Sequence, residues 1–383
     1  MYRISPIFVA ALLITGCAST TDETIKRVTS DLPKAWRNGS EASGKSPTFW
    51  WHNFRDKPLN QAIGKALESN PNLQAAGARL QAAWAQARIP EADLFPQIGL
   101  SSGLSTSQMN MAQFGVRLPN LPSKFNSERH NLTLGAQWEL DLWGRVRAGK
   151  QAARANALSQ AADFAGARHS LAGQLAKVWM LSIESRQQLR LAKSTVTTYE
   201  TTVERIRARF EQGVRSSLDL RLAAASLAAA KANVAERITS ANQATRQLEV
   251  LLGKVPSNQL EVPSKLPSMP STIPVGIPAE ILSRRPDIVA AEQDLRAAGA
   301  NVQQAKASLY PQISLTSSTG TSTSELSDLV SGDSFIWNIG ANIMQPLFQG
   351  GRLRQNVKIR QANLKAAESN FRSAFIFALS EVE

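Results

Sequence analysis

The sequence predicts an α+β membrane protein in which long antiparallel α-helical coiled-coil hairpins accompany four transmembrane β-strands, laid out as an internal tandem repeat. Three observations carry this. At a shift of 286 − 71 = 215, Asn70-Pro71-Asn72-Leu73 falls on Arg285-Pro286-Asp287-Ile288, Leu94-Phe95-Pro96-Gln97-Ile98 on Leu309-Tyr310-Pro311-Gln312-Ile313, and Leu100 on Leu315. A match of this length is a duplicated subdomain, not a solenoid unit of roughly 20–50 residues. Segments of about ten residues alternate cleanly between apolar and polar side chains, the pattern of a strand with lipid on one side and water on the other. Finally, a stretch from Val146 to Gln212 holds no proline and repeats its apolar residues in threes and fours.

In chain order, Arg3 and the apolar run Ile7 to Ile14 lead into Leu13-Ile14-Thr15-Gly16-Cys17, and Cys17 is the only cysteine among 383 residues. The pattern resembles a bacterial lipobox, and the run is too short to span a bilayer. Residues 1–16 are therefore expected to be a lipoprotein signal peptide and Cys17 the lipid-bearing residue. A plain signal peptide with a bystander cysteine is the alternative. Ala18 after the cysteine, in place of aspartate, favours the outer membrane by resemblance to sorted lipoproteins. Residues 17–70 then form an N-terminal periplasmic segment.

The first repeat is expected over 71–255. Its opening helix, about Leu73 to Ala92, ends before Pro96, which lacks an N–H and restricts its neighbour. A short strand, a Ser/Asn/Gly/Pro-rich loop from about Ser107 to Arg129, and a second strand follow. In that strand Leu132, Leu134, Ala136, Trp138, Leu140 and Leu142 share one face, and Thr133, Gly135, Gln137, Glu139 and Asp141 the other. A strand of a soluble sandwich would read the same way in isolation; four matched strands behind a lipoprotein signal favour the barrel. Roughly 66 residues of helix then form a rod on the order of 100 Å, with Val196, Tyr199, Val203, Ile206 and Phe210 on one stripe. Gly213 breaks it, and a return helix runs through Leu227, Val234, Ile238, Ala241, Thr245, Leu248 and Leu252. Residues 256–280, with six prolines from Pro256 to Pro278, read as a linker. The second repeat, 281–383, keeps the strand parity: Trp337, Ile339, Ala341 and Ile343 against Asn338, Gly340 and Asn342. Its long helix starts with Arg354 over Arg147, a shift of 207, and the sequence stops at the counterpart of Ala176. The second repeat is thus read as incomplete by roughly 75 residues, a C-terminal truncation that leaves Phe371, Phe375, Ile376, Phe377 and Leu379 without packing partners.

Composition narrows the chemistry. His52, His130 and His169 stand far apart, without the i, i+4 spacing of a metal pair. The formal charge of +13 is spread along helical faces without interleaved aromatics, which reads as solvated surface and not as a nucleic-acid footprint. Neither a phosphate loop nor a nucleophile elbow occurs in the sequence, and nothing argues for an enzyme or for a cofactor beyond covalent lipid on Cys17.

Trp50-Trp51 and Phe54 before Leu59, Ala66-Leu67 before Asn70, Arg284-Arg285-Pro286-Asp287-Ile288 with Ala291-Glu292 and Leu295, and Gly350-Gly351-Arg352 together resemble outer membrane factors of the TolC and OprM type, in the branch of efflux-system outer membrane lipoproteins. The resemblance implies a homotrimer whose chains share one twelve-stranded barrel and a periplasmic helical tunnel. The same need arises from the strands alone, since four cannot close a barrel and open edges are not tolerated in hydrocarbon. It further implies a passive exit duct for drugs or other small molecules, fed by an inner-membrane pump through a periplasmic adaptor. A duct for type I protein secretion is the alternative; a coiled-coil lipoprotein that merely spaces the envelope leaves the alternating strands unexplained. By the same resemblance Gly213, Val214, Ser217, Leu218 and Asp219 lie at the periplasmic tip, where the adaptor docks. Asp219 falls where related ducts place an acid that ties the tip shut, and equally where an aspartate meets a helix dipole.

Overall fold

A computed structural model describes residues 22, 23, 25, 49–110, 124–270 and 284–382. Cys17, the signal peptide and the linker prolines Pro274 and Pro278 lie outside the described residues. The regular elements are α1 (Lys57–Ser69), α2 (Pro71–Ala92), β1 (Gln97–Asn110), β2 (Lys124–Leu140), α3 (Arg145–Glu211), α4 (Ser217–Leu251), α5 (Pro286–Ala307), β3 (Gln312–Thr323), β4 (Phe335–Met344) and α6 (Arg352–Val382), with short 3-10 turns at Trp50–Phe54, Leu326–Val330 and Gly332–Ser334. Two compact units divide them, one built mainly from 83–159 and 290–377, the other from 33–82, 160–289 and 378–383.

The first unit holds a single four-stranded sheet in the order β1-β2-β3-β4, every neighbouring pair antiparallel. Pro96 and Pro311 precede β1 and β3, and each strand begins one residue later. The junctions are tied by indole N–H groups: Trp138 donates to the Leu94 carbonyl at 2.9 Å and Trp143 to that of Pro311 at 2.7 Å, while the Trp143 ring stacks on Tyr310 with centroids 5.1 Å apart. Gly320 is required by proximity, because a Cβ there would meet the Leu132 carbonyl of β2 at 2.0 Å.

Two expectations are corrected here. The second strand ends at Leu140, short of Leu142. Although Asp141 continues the alternation, its carboxylate accepts from the N–H groups of Val146 and Arg147, both at 2.9 Å, and so caps the start of α3. The strands also reach further into the expected Ser107–Arg129 loop, since β1 runs to Asn110 and β2 starts at Lys124.

The second unit has an apolar core of Trp51, Leu59, Ile63, Leu73, Leu175, Trp179, Ile183 and Leu248, drawn from the first 3-10 turn, α1, α2, α3 and α4. Polar side chains close its helix ends. Asp56 accepts from the Leu59 N–H at the start of α1 and also from the Trp179 indole at 3.1 Å. Asn70 accepts from the N–H groups of Asn72 and Leu73 and donates to the Leu251 carbonyl. In the Arg-Arg-Pro-Asp-Ile stretch, Pro286 opens α5 and the Arg285 guanidinium grips Asp287 in a fork, 3.0 and 2.8 Å, while also reaching Glu381 of α6. Those two carboxylates, Asp287 foremost, raise the Arg285 pKa against the opposing effect of burial. Of the α6 residues expected to lack partners, Phe371 and Phe375 are in fact buried, whereas Ile376 and Phe377 are exposed.

Near the end of α4, the Glu249 side chain is only 2 % exposed. Its two oxygens accept from the backbone N–H groups of Ser257, Asn258, Gln259 and Leu260 and from the Ser257 hydroxyl, at 2.7–3.2 Å. Arg186, Gln187 and Arg190 of α3 donate to the carbonyls of Leu260 and Ser264. The start of the proline-rich stretch is therefore bound to the helices from both sides. Burial pushes the Glu249 carboxyl up, but the donors outweigh it and hold the pKa at about 2. A depressed folded-state pKa means that the stabilisation is complete above the ordinary value of 4.5 and is withdrawn as pH falls from there through about 2. Glu249→Gln is expected to lower stability at neutral pH by about 3 kcal/mol, with the deficit narrowing below pH 4.5. Thermal unfolding of the detergent-solubilised pair across pH 3–7 checks both the size and the narrowing.

Candidate functional site

The strand register sorts the sheet into two faces. Partners in antiparallel strands share a face, so the rows Ile98–Ala136–Ser317–Ile339, Leu100–Leu134–Thr319–Trp337, Trp138–Leu315–Ala341 and Leu140–Ile313–Ile343 lie on one side. Rows on the other side read Gln97–Gln137–Thr316–Gly340, Gly99–Gly135–Ser318–Asn338 and Glu139–Ser314–Asn342. Ile98, Leu100, Trp337, Ile339 and Ile343 are each 69–74 % exposed, and no second sheet among the described residues covers them. A soluble sandwich would bury this face; lipid solvates it as it stands. β3 supplies the weakest part of the band, with Ser317, Thr319 and Thr321 on the apolar side.

Apolar side chains on β2 run from Leu132 to Leu140, a height on the order of 25 Å. Beyond it, from Ser105 opposite Arg129 to Asn110 opposite Lys124, β1 and β2 continue as a mostly polar ribbon. On the polar face of the band the one charged side chain is Glu139, which takes both Nε and Nη2 of Arg145 at 2.9 and 2.6 Å. The remainder of that face is amide, hydroxyl and glycine apart from Ile336.

The turn between α3 and α4 is defined by backbone geometry. Gly213 takes φ +73°, a conformation open to glycine, and the Val214 N–H returns to the Arg209 carbonyl at 2.9 Å, closing α3. Ser216 opens α4 with a reciprocal capping box, its hydroxyl accepting from the Asp219 N–H and the Asp219 carboxylate from the Ser216 N–H. Arg215 lies 3.8 Å from the same carboxylate. Gly213, Val214, Ser217, Leu218 and Asp219 thus share one turn. Phe210, Val214, Leu218 and Leu222 are each exposed, and Leu222 lines a groove with Arg205, Arg209 and Arg215. Ser216 and Arg215 thus join the expected tip residues, and the signal for Ser216 is legible in the sequence as Ser-x-x-Asp before an apolar run.

Among the described residues no helix is long and apolar enough to cross a membrane, and no group of three His, Cys, Asp or Glu side chains is placed to hold a metal ion. A family model described as "Outer membrane efflux protein" matches residues 62–254 and 277–383. The chain belongs to this family. Among its relatives, the "Probable outer membrane lipoprotein SilC" of Salmonella typhimurium is 27 % identical over 390 residues, spanning 100 % of this chain and 81 % of SilC. The "Cation efflux system protein CusC" of Escherichia coli K12 is 29 % identical over 384 residues, 98 % of this chain and 81 % of CusC. The solved structure of the outer-membrane channel OprN superposes with a TM-score of 0.82 at 30 % identity, covering 92 % of this chain and 79 % of OprN. This efflux protein is accordingly an outer membrane duct of tunnel helices and barrel strands, a transport component with no catalytic role.

The face assignment has a direct test. Ile339→Arg, on the apolar side, is expected to cost about 2–4 kcal/mol of folded stability in the membrane, and Asn338→Arg, one residue away on the polar side, far less. Heat-dependent mobility of the membrane-extracted variants reads the difference; equal losses would contradict the assignment.

Proposed function

We propose that three copies of the chain, each contributing four strands, close one twelve-stranded barrel, and that the duplicated helices wall a periplasmic tunnel leading to it. The single observation that carries this reading is the four-stranded sheet itself, with one exposed apolar face, one polar face, and an unpaired edge on each of β1 and β4. Hydrocarbon offers those edge N–H and C=O groups no partner except another chain. Matching helix lengths support the repeat: α2 and α5 have 22 residues each and start 215 apart.

The duct works as the outer part of a tripartite system, receiving small molecules from an inner-membrane pump by way of a periplasmic adaptor. Gly213, Val214, Ser217, Leu218 and Asp219 form the adaptor contact at the tip of the α3–α4 hairpin, where exposed apolar side chains and arginines offer both area and charge. Asp219 has a second role, holding the tip closed through a neighbouring basic group. Covalent lipid on Cys17 anchors the N-terminus in the outer membrane, a reading supported by the name of the similar SilC, "Probable outer membrane lipoprotein".

Planar-bilayer recording tests the gate. Ser216→Ala and Asp219→Ala both break the capping box and should each cost about 0.5–2 kcal/mol, but only Asp219→Ala removes the charge, so only it is expected to raise single-channel conductance. Equal conductance in the two variants reduces Asp219 to a cap. For the anchor, Cys17→Ser is expected to abolish labelling by a fatty-acid probe while the protein stays in the membrane fraction, because one lipid anchor adds little to what a barrel provides.

A further inference from the structure

The chain carries within itself a template for its contact with the next copy. β1 and β3 start 312 − 97 = 215 residues apart, and the helices that follow β2 and β4 start 352 − 145 = 207 apart. β2 and β3 already pair within one chain, with Asn131 opposite Ser322, Ala136 opposite Ser317 and Leu140 opposite Ile313. Advancing each β2 residue by 207 and moving each β3 residue back by 215 converts these pairs into Asn338 opposite Ser107, Ile343 opposite Ser102 and Leu347 opposite Ile98. We propose that β4 of one copy pairs antiparallel with β1 of a second copy in this register, extending past Met344 so that Leu347 lies against Ile98.

Two independent features of the structure agree. The first is parity: Ile343 and Ser102 both lie on the apolar face, Asn338 and Ser107 both on the polar face, so the band continues unbroken across the seam. A shift by one residue would interrupt it. The second is exposure. Leu347 and Ile98 stand 92 % and 70 % exposed, whereas their repeat counterparts Leu140 and Ile313, which face each other inside the chain, are both partly buried. Each exposed residue lacks the strand that covers its counterpart. Strand direction fits as well, since four successive antiparallel strands leave β1 and β4 running oppositely. β4 ends at Met344, opposite Gln312, the first residue of β3, so the same chain has no strand to pair with Gln345 to Leu347.

The inference rests on the closed-barrel reading, and cysteine cross-linking in outer membranes separates the two. Residues directly opposite have Cβ atoms about 4.5–5.5 Å apart and those displaced by two about 7–8 Å, and a disulfide needs about 3.5–4.5 Å. Asn338→Cys with Ser107→Cys is expected to link chains into covalent multimers several-fold more than Asn338→Cys with Ser105→Cys or Met109→Cys. The intrachain counterpart Asn131→Cys with Ser322→Cys serves as the positive control for fold and geometry, and single-cysteine variants expose any linkage through Cys17. Preferential linking through Ser105→Cys or Met109→Cys, or trimers on native gels with no linkage from any of the three pairs, would overturn the register and leave the barrel standing. Monomers on native gels beside a formed intrachain control would overturn both.

Discussion

Hydrocarbon supplies no hydrogen-bond partner to a peptide group, and from that single constraint most of this protein's architecture follows. Within the sheet, the ladder of β1 through β4 satisfies the interior strands. The outer edges of β1 and β4 are left with groups that a soluble protein would give to water. One chain of this kind is an arc, and an arc in a bilayer is incomplete. The apolar rows on one face and the amide and hydroxyl rows on the other follow from the same geometry, because a barrel wall one residue thick meets lipid and water on alternate side chains.

The helical part answers a different problem, which is how to end long helices without a membrane or a bulky core to hide their termini. The solutions are local and polar. Asp56, Asn70, Asp141 and Ser216 each accept from backbone N–H groups at a helix start. Glu249 is the inverse case. A carboxylate near a helix C-terminus opposes the macrodipole, and four consecutive backbone N–H groups of the following chain more than offset that cost. The segment that leaves α4 is thereby fixed in path before its prolines limit it further.

Much of this was legible in the residues. Strand parity showed because the two faces meet opposite solvents, so that Trp138 and Gln137 could not exchange places. The end of α2 at Ala92 showed because Pro96 lies just beyond it, and the α3–α4 turn showed at Gly213. What stayed hidden involved residues whose type fits two roles. Asp141 continues a strand pattern as well as it caps a helix, and only its distance to Val146 and Arg147 decides. Glu249 looks like any solvated helix glutamate, because its partners are main-chain groups of Ser257 to Leu260 that carry no sequence signature. The burial of Phe371 and Phe375 was misjudged for a related reason, since helical spacing says that a face is apolar without saying what already lies against it.

The polar face of the sheet has a consequence for the solutes that pass it. Within the height of the apolar band its single carboxylate, Glu139, is neutralised where it stands by the Arg145 fork, and the remaining side chains are dipoles without net charge, apart from the apolar Ile336; Arg129 lies on the same face beyond the band. Coulomb forces over several ångströms require monopoles; a wall of amides and hydroxyls can wet a solute but exerts no long-range pull on an anion or a cation. Such a surface neither concentrates one sign of ion nor turns back the other. Within this stretch of the wall, then, the sign of a solute's charge makes no difference, and the first fixed charge it meets on this face of the described strands is Arg129, beyond the band.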